Sequence, residues 1–251
     1  LELRKNNNQT IVHYLNGERD IRYMLNYYKN SERVKLIASF HKPPSILIET
    51  IKQNKYLKYL DGVIALGTKQ ANLINDRLQI KQLEMIHHGV DTDYFHPEKN
   101  QLSLNGNEKR LLFVGQHLRD FDIFNDVVDI IKSKKIKKNI NVVVLPFFIK
   151  YLRNKELLNI HSGISDDMLR KLYQGSTCLF IPFKDVVACN SILEAIACGT
   201  PIITSKIGDN SDYLDDDCSI MLDRNNKARF FEAIMDVMND DSNQKLRKAA
   251  R

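Results

Sequence analysis

Short apolar runs alternate with helix-period patterns along almost the whole chain, and this alternation is the strongest constraint on what it can fold into. TIVHYL (10–15), VKLIASF (34–40), DGVIAL (61–66) and EMIHHG (84–89) are separated by helical patterns near 18–29, 44–57 and 68–77. The same rhythm resumes with RLLFVG (110–115), INVVVLP (140–146), LLNIH (157–161), TCLFIP (177–182), PIIT (201–204) and CSIML (218–222). Runs of this length joined by crossover helices predict parallel strands, hence the α/β class. Ser165, followed by Asp166 and Asp167, opens one further helix with apolar Met168, Leu169, Leu172 and Tyr173, and RFFEAIMDVM (229–238) forms another. From Asp91 to Glu108 the period disappears into DTDYFHPEKNQLSLNGNE, which reads as a linker. The expected division is therefore a first domain over 1–90, a linker over 91–108 and a second domain over 109–251.

Ligands of open parallel sheets lie outside the carboxyl ends of the strands, and two such sheets are expected to face each other across a cleft. The loops there contain His41, Gly89, Gly115 to Arg119, Ser162 and Gly163, Pro182 to Asn190, and Ser205 to Asp209. Most informative is CNSILEAIACGTPIITS (189–205), which reads as loop, short helix and buried strand. Asn190 or Ser191 can cap the helix, and its free N–H groups and positive dipole end suit an anion. Glu194, one turn in, can accept hydrogen bonds from two neighbouring ribose hydroxyls while a diphosphate rests on the helix start. Gly199 and Pro201 then end the helix and release the strand. Taken by itself, the segment also fits an ordinary helix-to-strand connection with a surface glutamate.

At 251 residues and 43% hydrophobic content, the chain can bury one large core or two modest ones, and its length fits two domains better. Cys178, Cys189, Cys198 and Cys218 lack any CxxC or zinc spacing, so buried thiols in a reducing, cytoplasmic setting are expected. No apolar run has the length of a membrane span, and LELRKNNNQT lacks a signal-peptide core. The chain opens without Met close to a strand, which suggests a piece of a longer polypeptide. Of the net charge of +6, five lysines gather in KSKKIKK (132–138). The simplest reading is a solvated helix end whose lysines complement the macrodipole. A second is weak attraction to an anionic bilayer, peripheral at the inner membrane face, or to an acidic partner. Nucleic acid is not expected, since no aromatics interleave with the basic residues.

Several segments together resemble a known family, the GT-B glycosyltransferases of the large retaining group (family 4 type, glycosyl transferases group 1). HHGVDTDYFHP (87–97) is similar to the interdomain signature PNGVDxxxFxP, and LLFVGQHLRD (111–120) to its strand-and-glycine loop. HSGISDDMLRKLYQGSTCLFIPF (161–183) and ILEAIACGTPIITSKIGDNSDYL (192–214) are similar to the donor half, and SFHKPP (39–44) with LDGVIALGTKQ (60–70) to the acceptor domain. The resemblance implies two Rossmann-like domains, the N-terminal one incomplete, and transfer of a hexosyl-type sugar from a UDP- or GDP-linked donor to an acceptor hydroxyl with retention. It implies no metal or other cofactor, and an acceptor that is a sugar, a lipid or a small molecule. Glu194 would bind the ribose, and Cys189, Asn190 and Ser191 at the helix start would meet the diphosphate. Arg119, after the Gly115 turn, would be a cation on that diphosphate, because departure of a nucleoside diphosphate builds negative charge. Gln116 lies in the same loop, Lys184 is a second candidate cation, and His41 is the expected catalytic-side group that holds the donor sugar.

Two departures leave alternatives open. The first glutamate of the family's E-x7-E pattern falls on Val186, with Asp185 just before it, and by the resemblance this piece is expected to be truncated at both ends, short of the family's first strands and closing helix. A sugar-nucleotide epimerase of the same fold and a non-catalytic binding or scaffold chain therefore stand beside the transferase. DTD (91–93) and DFD (120–122) match a metal-holding acidic triplet but are read as structural. His87 and His88, expected to alternate across strand faces, cannot share a metal. His13 reads as a hydrogen-bonded strand histidine, and GQHLRD is not the GxGxxG of a nicotinamide site.

Overall fold

A computed structural model describes residues 9–21, 25–28, 31–53, 55–98, 109–239 and Leu246. The chain forms two compact units, each built on its own parallel sheet.

The first unit comprises residues 1–88 with two later loops, 185–188 and 208–213. Its sheet runs β1 (Thr10–Tyr14), β2 (Val34–Ser39), β3 (Gly62–Ala65), β4 (Gln82–Met85), with neighbours parallel throughout. Crossovers are short: α1 (Gly17–Asp20) and α2 (Leu25–Tyr28), then α3 (Pro44–Gln53) and α4 (Thr68–Leu78). Leu36, Ala38, Phe40, Leu47, Leu57, Ala65 and Ile74 are wholly buried and form its centre. The two later loops end the helices with carboxylates. Asp209 accepts from the N–H groups of Lys69 and Gln70 at 2.7 and 3.2 Å, Asp212 from Thr68 at 2.5 Å, and Asp185 from Ser45 at 3.0 Å. Each satisfies donors that a helix start otherwise leaves open.

The second unit holds residues 89–184, 189–207 and 214–251. Its six strands are β5 (Arg110–Val114), β6 (Asn139–Val143), β7 (Leu158–His161), β8 (Cys178–Ile181), β9 (Ile202–Ser205) and β10 (Ser219–Leu222). They are all parallel in the order β10-β9-β8-β5-β6-β7. The chain thus winds one way from β5 to β7, returns to the middle, and winds the other way from β8. The point where the direction reverses, between β5 and β8, is where a doubly wound sheet opens a crevice at its carboxyl edge. Leu111, Leu112, Phe113 and Val114 are all buried, as a strand covered on both faces requires. The covering helices are α5 (Phe121–Ser133), α6 (Asp166–Gly175), α7 (Asn190–Ala197) and α8 (Lys227–Asn239). Phe124 packs between Phe113 and Phe180, with ring centroids 4.4 and 6.1 Å away.

Several expectations are corrected. The helix expected over 18–29 is two single turns, with 22–24 and 29 outside the described residues. The helix expected over 44–57 ends at Gln53, and a 3-10 turn covers Leu57–Tyr59. Strand β4 covers Gln82–Met85, so His87 and His88 lie beyond it and no face alternation applies to them. The division at 90 and 108 also differs. Residues 89–98 fold with the second unit: Gln174 donates to the His96 carbonyl at 2.7 Å, and Phe95 lies edge-on to Tyr173. The rest of the expected linker, 99–108, lies outside the described residues. Both acidic triplets are committed locally. Asp91 closes a turn by accepting from the N–H groups of Asp93 and Tyr94, and Asp120 caps α5 and pairs with Arg224.

Candidate nucleotide site in the second unit

The loops leaving β5 and β8 are zipped together. Arg119 and Phe183 form an antiparallel bridge, the Lys184 N–H donates to the Leu118 carbonyl at 2.8 Å, and the Asp120 N–H donates to the Pro182 carbonyl at 2.9 Å. Gly115 makes the turn with φ +89°, and a Cβ there would come within 2.7 Å of Arg119 Nη2. Torsion and space both demand glycine.

Beneath that turn Arg119 is only 9% exposed. Its Nε donates to the Val114 carbonyl at 2.9 Å, Nη1 to the His117 carbonyl at 3.0 Å and Nη2 to Cys189 Sγ at 3.2 Å, while the guanidinium lies 4.4 Å from the Phe183 ring centre. Among the described residues, Arg119 has no carboxylate within ion-pair distance. Buried charges are ordinarily paired, so a guanidinium fixed by neutral acceptors, with N–H groups to spare, leaves an unmet demand for an anion. Burial of the His117 imidazole, and after it the charge of Arg119, hold that ring below the usual histidine range.

The helix expected to be capped by Asn190 or Ser191 starts one residue earlier. Cys189 is the N-cap, in an extended conformation that Arg119 helps to fix, and no side chain caps the helix. Asn190 and Ser191 therefore occupy its first turn, and Cys189 offers no side-chain cap to its free N–H groups. Glu194 follows one turn on and is half-buried. The hydroxyl of Tyr173, wholly buried on α6, donates to Glu194 Oε2 at 2.9 Å. Burial raises the Glu194 pKa, the Tyr173 hydrogen bond lowers it, and the charge of Asp166 raises it, with a net upward shift. Tyr173 is the residue that sequence reasoning missed. It stood only as an apolar member of its helix, although a core tyrosine needs a partner for its hydroxyl.

Gly115, Gln116, Arg119, Cys189, Asn190, Ser191 and Glu194 thus lie on the β5 loop and at the start of α7, within one unit. Lys184 shares the β8 loop, but its ammonium lies 3.7 Å from Asp122. His41 belongs to the first unit. There its N–H and that of Lys42 donate to the buried Glu18 carboxylate, and its ring stands edge-on to His88 at 6.3 Å. His13 bonds Ser39 Oγ through Nε2 at 2.9 Å. Among the described residues no three His, Cys, Asp or Glu side chains are grouped to hold a metal ion, and no helix is long and apolar enough to cross a membrane.

The model of the family described as "Glycosyl transferases group 1" matches residues 95–251. Searched by sequence against curated proteins, the chain has no match. Among solved structures it is similar to sucrose-phosphate synthase from Thermosynechococcus elongatus, with a TM-score of 0.75, 16% identity, and coverage of 96% of this chain and 67% of that one. A TarM variant of S. aureus in complex with fondaparinux, alpha-GlcNAc-glycerol and UDP gives a TM-score of 0.70 at 14% identity, covering 88% and 47%. Anabaena HepE in complex with UDP and glucose gives 0.68 at 15%, covering 87% and 65%. The chain thus spans about half of the TarM chain and about two thirds of the other two. At such identities the likeness speaks for the fold.

Proposed function

The chain belongs to the group 1 glycosyl transferases, and on that premise we propose that it moves a sugar from a nucleoside-diphosphate sugar to an acceptor hydroxyl with retention. The observation that carries this reading is the buried, carboxylate-free guanidinium of Arg119, hydrogen-bonded to the residue that starts α7. In this reading the diphosphate meets Arg119 and the first N–H groups of α7, which are pre-oriented toward the charge that develops as the leaving group departs. Glu194, held by Tyr173, accepts from the ribose hydroxyls. Gln116 and Lys184 flank the diphosphate, His41 orients the donor sugar, and neither metal nor further cofactor takes part. UDP in the TarM and HepE structures makes UDP the first nucleotide to try, with GDP second. The acceptor class, whether sugar, lipid or small molecule, is open to assay.

Isothermal titration calorimetry of UDP and GDP against the wild type, Arg119→Ala and Glu194→Ala tests the site. Loss of a charge-assisted contact of about 1.5–3 kcal/mol predicts affinity lower by roughly 10- to 100-fold in each variant. Unchanged affinity in both would remove the assignment. Val186, buried where the pattern calls for a glutamate, favours a second reading in which the chain binds donor without transferring it. Donor hydrolysis and transfer measured on the full-length gene product separate the two.

A further inference from the structure

At the other end of the second sheet lies a recess of about 820 Å³. It opens at the amino ends of β5, β6 and β7, whereas the loops carrying Arg119 and Glu194 belong to the carboxyl side. Lys109, Lys132, Lys135, Lys137 and Lys138 line it, with Glu156 the one acidic wall residue among the described residues. Lys132 bonds Glu156 and Asn154, each at 2.7 Å. Among the described residues the other four have no carboxylate partner. Buried Ile131 and Ile140 form the floor.

Macrodipole complementation accounts for a lysine within the last helical turn, and Lys132 fills that place in α5, which ends at Ser133. Lys135 follows the C-cap directly and still feels that end, whereas Lys137 and Lys138 lie further on and Lys109 comes from the start of β5, so the cluster is larger than the helix end requires. One of them is held at a conformational cost. Lys135 has φ +54°, donates its N–H to the Lys132 carbonyl, and is followed by Ile136 N–H bonding back to Ile131. This is the left-handed position closing a helix, where glycine or asparagine is normally found. Gln79 closes α4 in the same left-handed conformation at φ +49°, so the torsion alone assigns no role; what sets Lys135 apart is its place in the wall of the recess.

We propose that this recess is a binding site for clustered phosphate groups, separate from the nucleotide site. Several ammonium groups around a concave, acid-poor wall fit a compact polyanion, and the volume suits a small ligand. Among the described lining residues none is aromatic, which argues against stacked bases. The phosphate can come from a soluble polyphosphate or from an anionic lipid headgroup.

The test uses the full chain saturated with UDP, so that any affinity for phosphate at the α7 end is blocked, and reads binding of inorganic tripolyphosphate by calorimetry. Flotation with vesicles of phosphatidylcholine, with and without phosphatidylglycerol, forms the second arm. Wild-type protein should bind one of these anions, weakening as salt is raised. Lys135→Glu combined with Lys137→Glu should lower that binding at least tenfold while leaving UDP affinity unchanged, and Lys81→Glu on the first unit should not lower it. Tripolyphosphate binding supports a soluble ligand, and binding confined to phosphatidylglycerol vesicles supports a lipid source. Lys135→Gly should raise the melting temperature while weakening binding. No binding in either arm, full binding by the double variant, or a stabilised Lys135→Gly that binds as well as wild type would each overturn the proposal.

Discussion

Tyr173→Phe is the most incisive single-atom change for the nucleotide site. It leaves the ring against Phe95 and deletes only the hydroxyl that donates to Glu194 Oε2 at 2.9 Å. A hydrogen bond to an ionised acceptor contributes about 1.5–3 kcal/mol, and Glu194 is only half-buried, so the lower end, about 1.5 kcal/mol, applies. Two readouts separate support from mere packing. UDP affinity by calorimetry at pH 7.5 should fall roughly tenfold, because a carboxylate released from Tyr173 no longer meets the ribose hydroxyls in a fixed orientation. The pH dependence should move as well. Burial raises the Glu194 pKa, and the Tyr173 bond opposes that rise. Ribose binding uses the ionised form, so affinity falls as pH drops through this raised pKa, and in Tyr173→Phe it should fall at a higher pH than in wild type. Stability has the opposite sign. A carboxyl whose folded pKa lies above its ordinary value of 4.5 contributes most below that value, and its contribution declines as pH rises through the folded pKa. A variant that is less stable yet binds UDP with wild-type affinity and an unmoved pH profile would refute the ribose role of Glu194.

Other outcomes follow from contacts of the same kind. Gly115→Ala must place a Cβ within 2.7 Å of Arg119 Nη2 at φ +89°, so thermal or urea unfolding should show a loss of about 1–3 kcal/mol, accompanied by weaker UDP binding. Asp209→Ala removes acceptors for two helix-start N–H groups and should cost about 1–2 kcal/mol of stability, whereas Asp209→Asn, which keeps an acceptor, should cost measurably less. Cys198, whose thiol is pushed up to about 12 chiefly by burial, should resist iodoacetamide in the folded protein, while half-buried Cys189 should react and be protected by UDP. Peptide mapping after labelling reads both; equal labelling of Cys189 with and without UDP would count against its place at the diphosphate.

The strands were legible because burial on both faces of a parallel sheet leaves continuous apolar runs such as LLFV and CLFI, which few other elements produce. Glu194 was legible for a related reason: a polar residue at a fixed distance from a helix start, between apolar neighbours, is conspicuous. What the pattern could not carry is anything decided by a partner distant in sequence. Cys189 is the residue before α7 and its sulfur is held by Arg119, 70 residues earlier, whereas a propensity argument points to Asn190 or Ser191 as the cap. Tyr173 supports Glu194 from 21 residues away, yet it sits in sequence among leucines. His87 and His88 were drawn into a strand that ends at Met85, because apolar Met85 and Ile86 continue the run although both are exposed. Arg119 was recognised as a cation; that it is buried and without a carboxylate follows only from how two loops close over it.

The same dependence on distant partners bears on the position where the family pattern has its first glutamate. Asp185, one residue before Val186, is the obvious substitute, but its environment speaks against it. Within the first unit, Asp185 Oδ2 accepts from the Ser45 N–H at 3.0 Å and Oδ1 from the Val186 N–H at 2.8 Å, and the residue is buried. Turning this carboxylate toward a sugar would leave the buried Val186 N–H unsatisfied, at about 1–3 kcal/mol, and would also give up its bond to the Ser45 N–H at the start of α3. The loop has little room to adjust around it. Gly208, at φ +57°, passes so close that a Cβ would fall 2.9 Å from Asp185 Oδ1, and the Asp209 N–H is tied to the Val186 carbonyl at 3.0 Å. A carboxylate so held is a structural clasp. In the transferase reading, recognition of the donor sugar therefore falls to groups other than Asp185, with the exposed Asn190 in the first turn of α7 the nearest in sequence, and Val186→Glu would be an addition to this site and not a restoration of it.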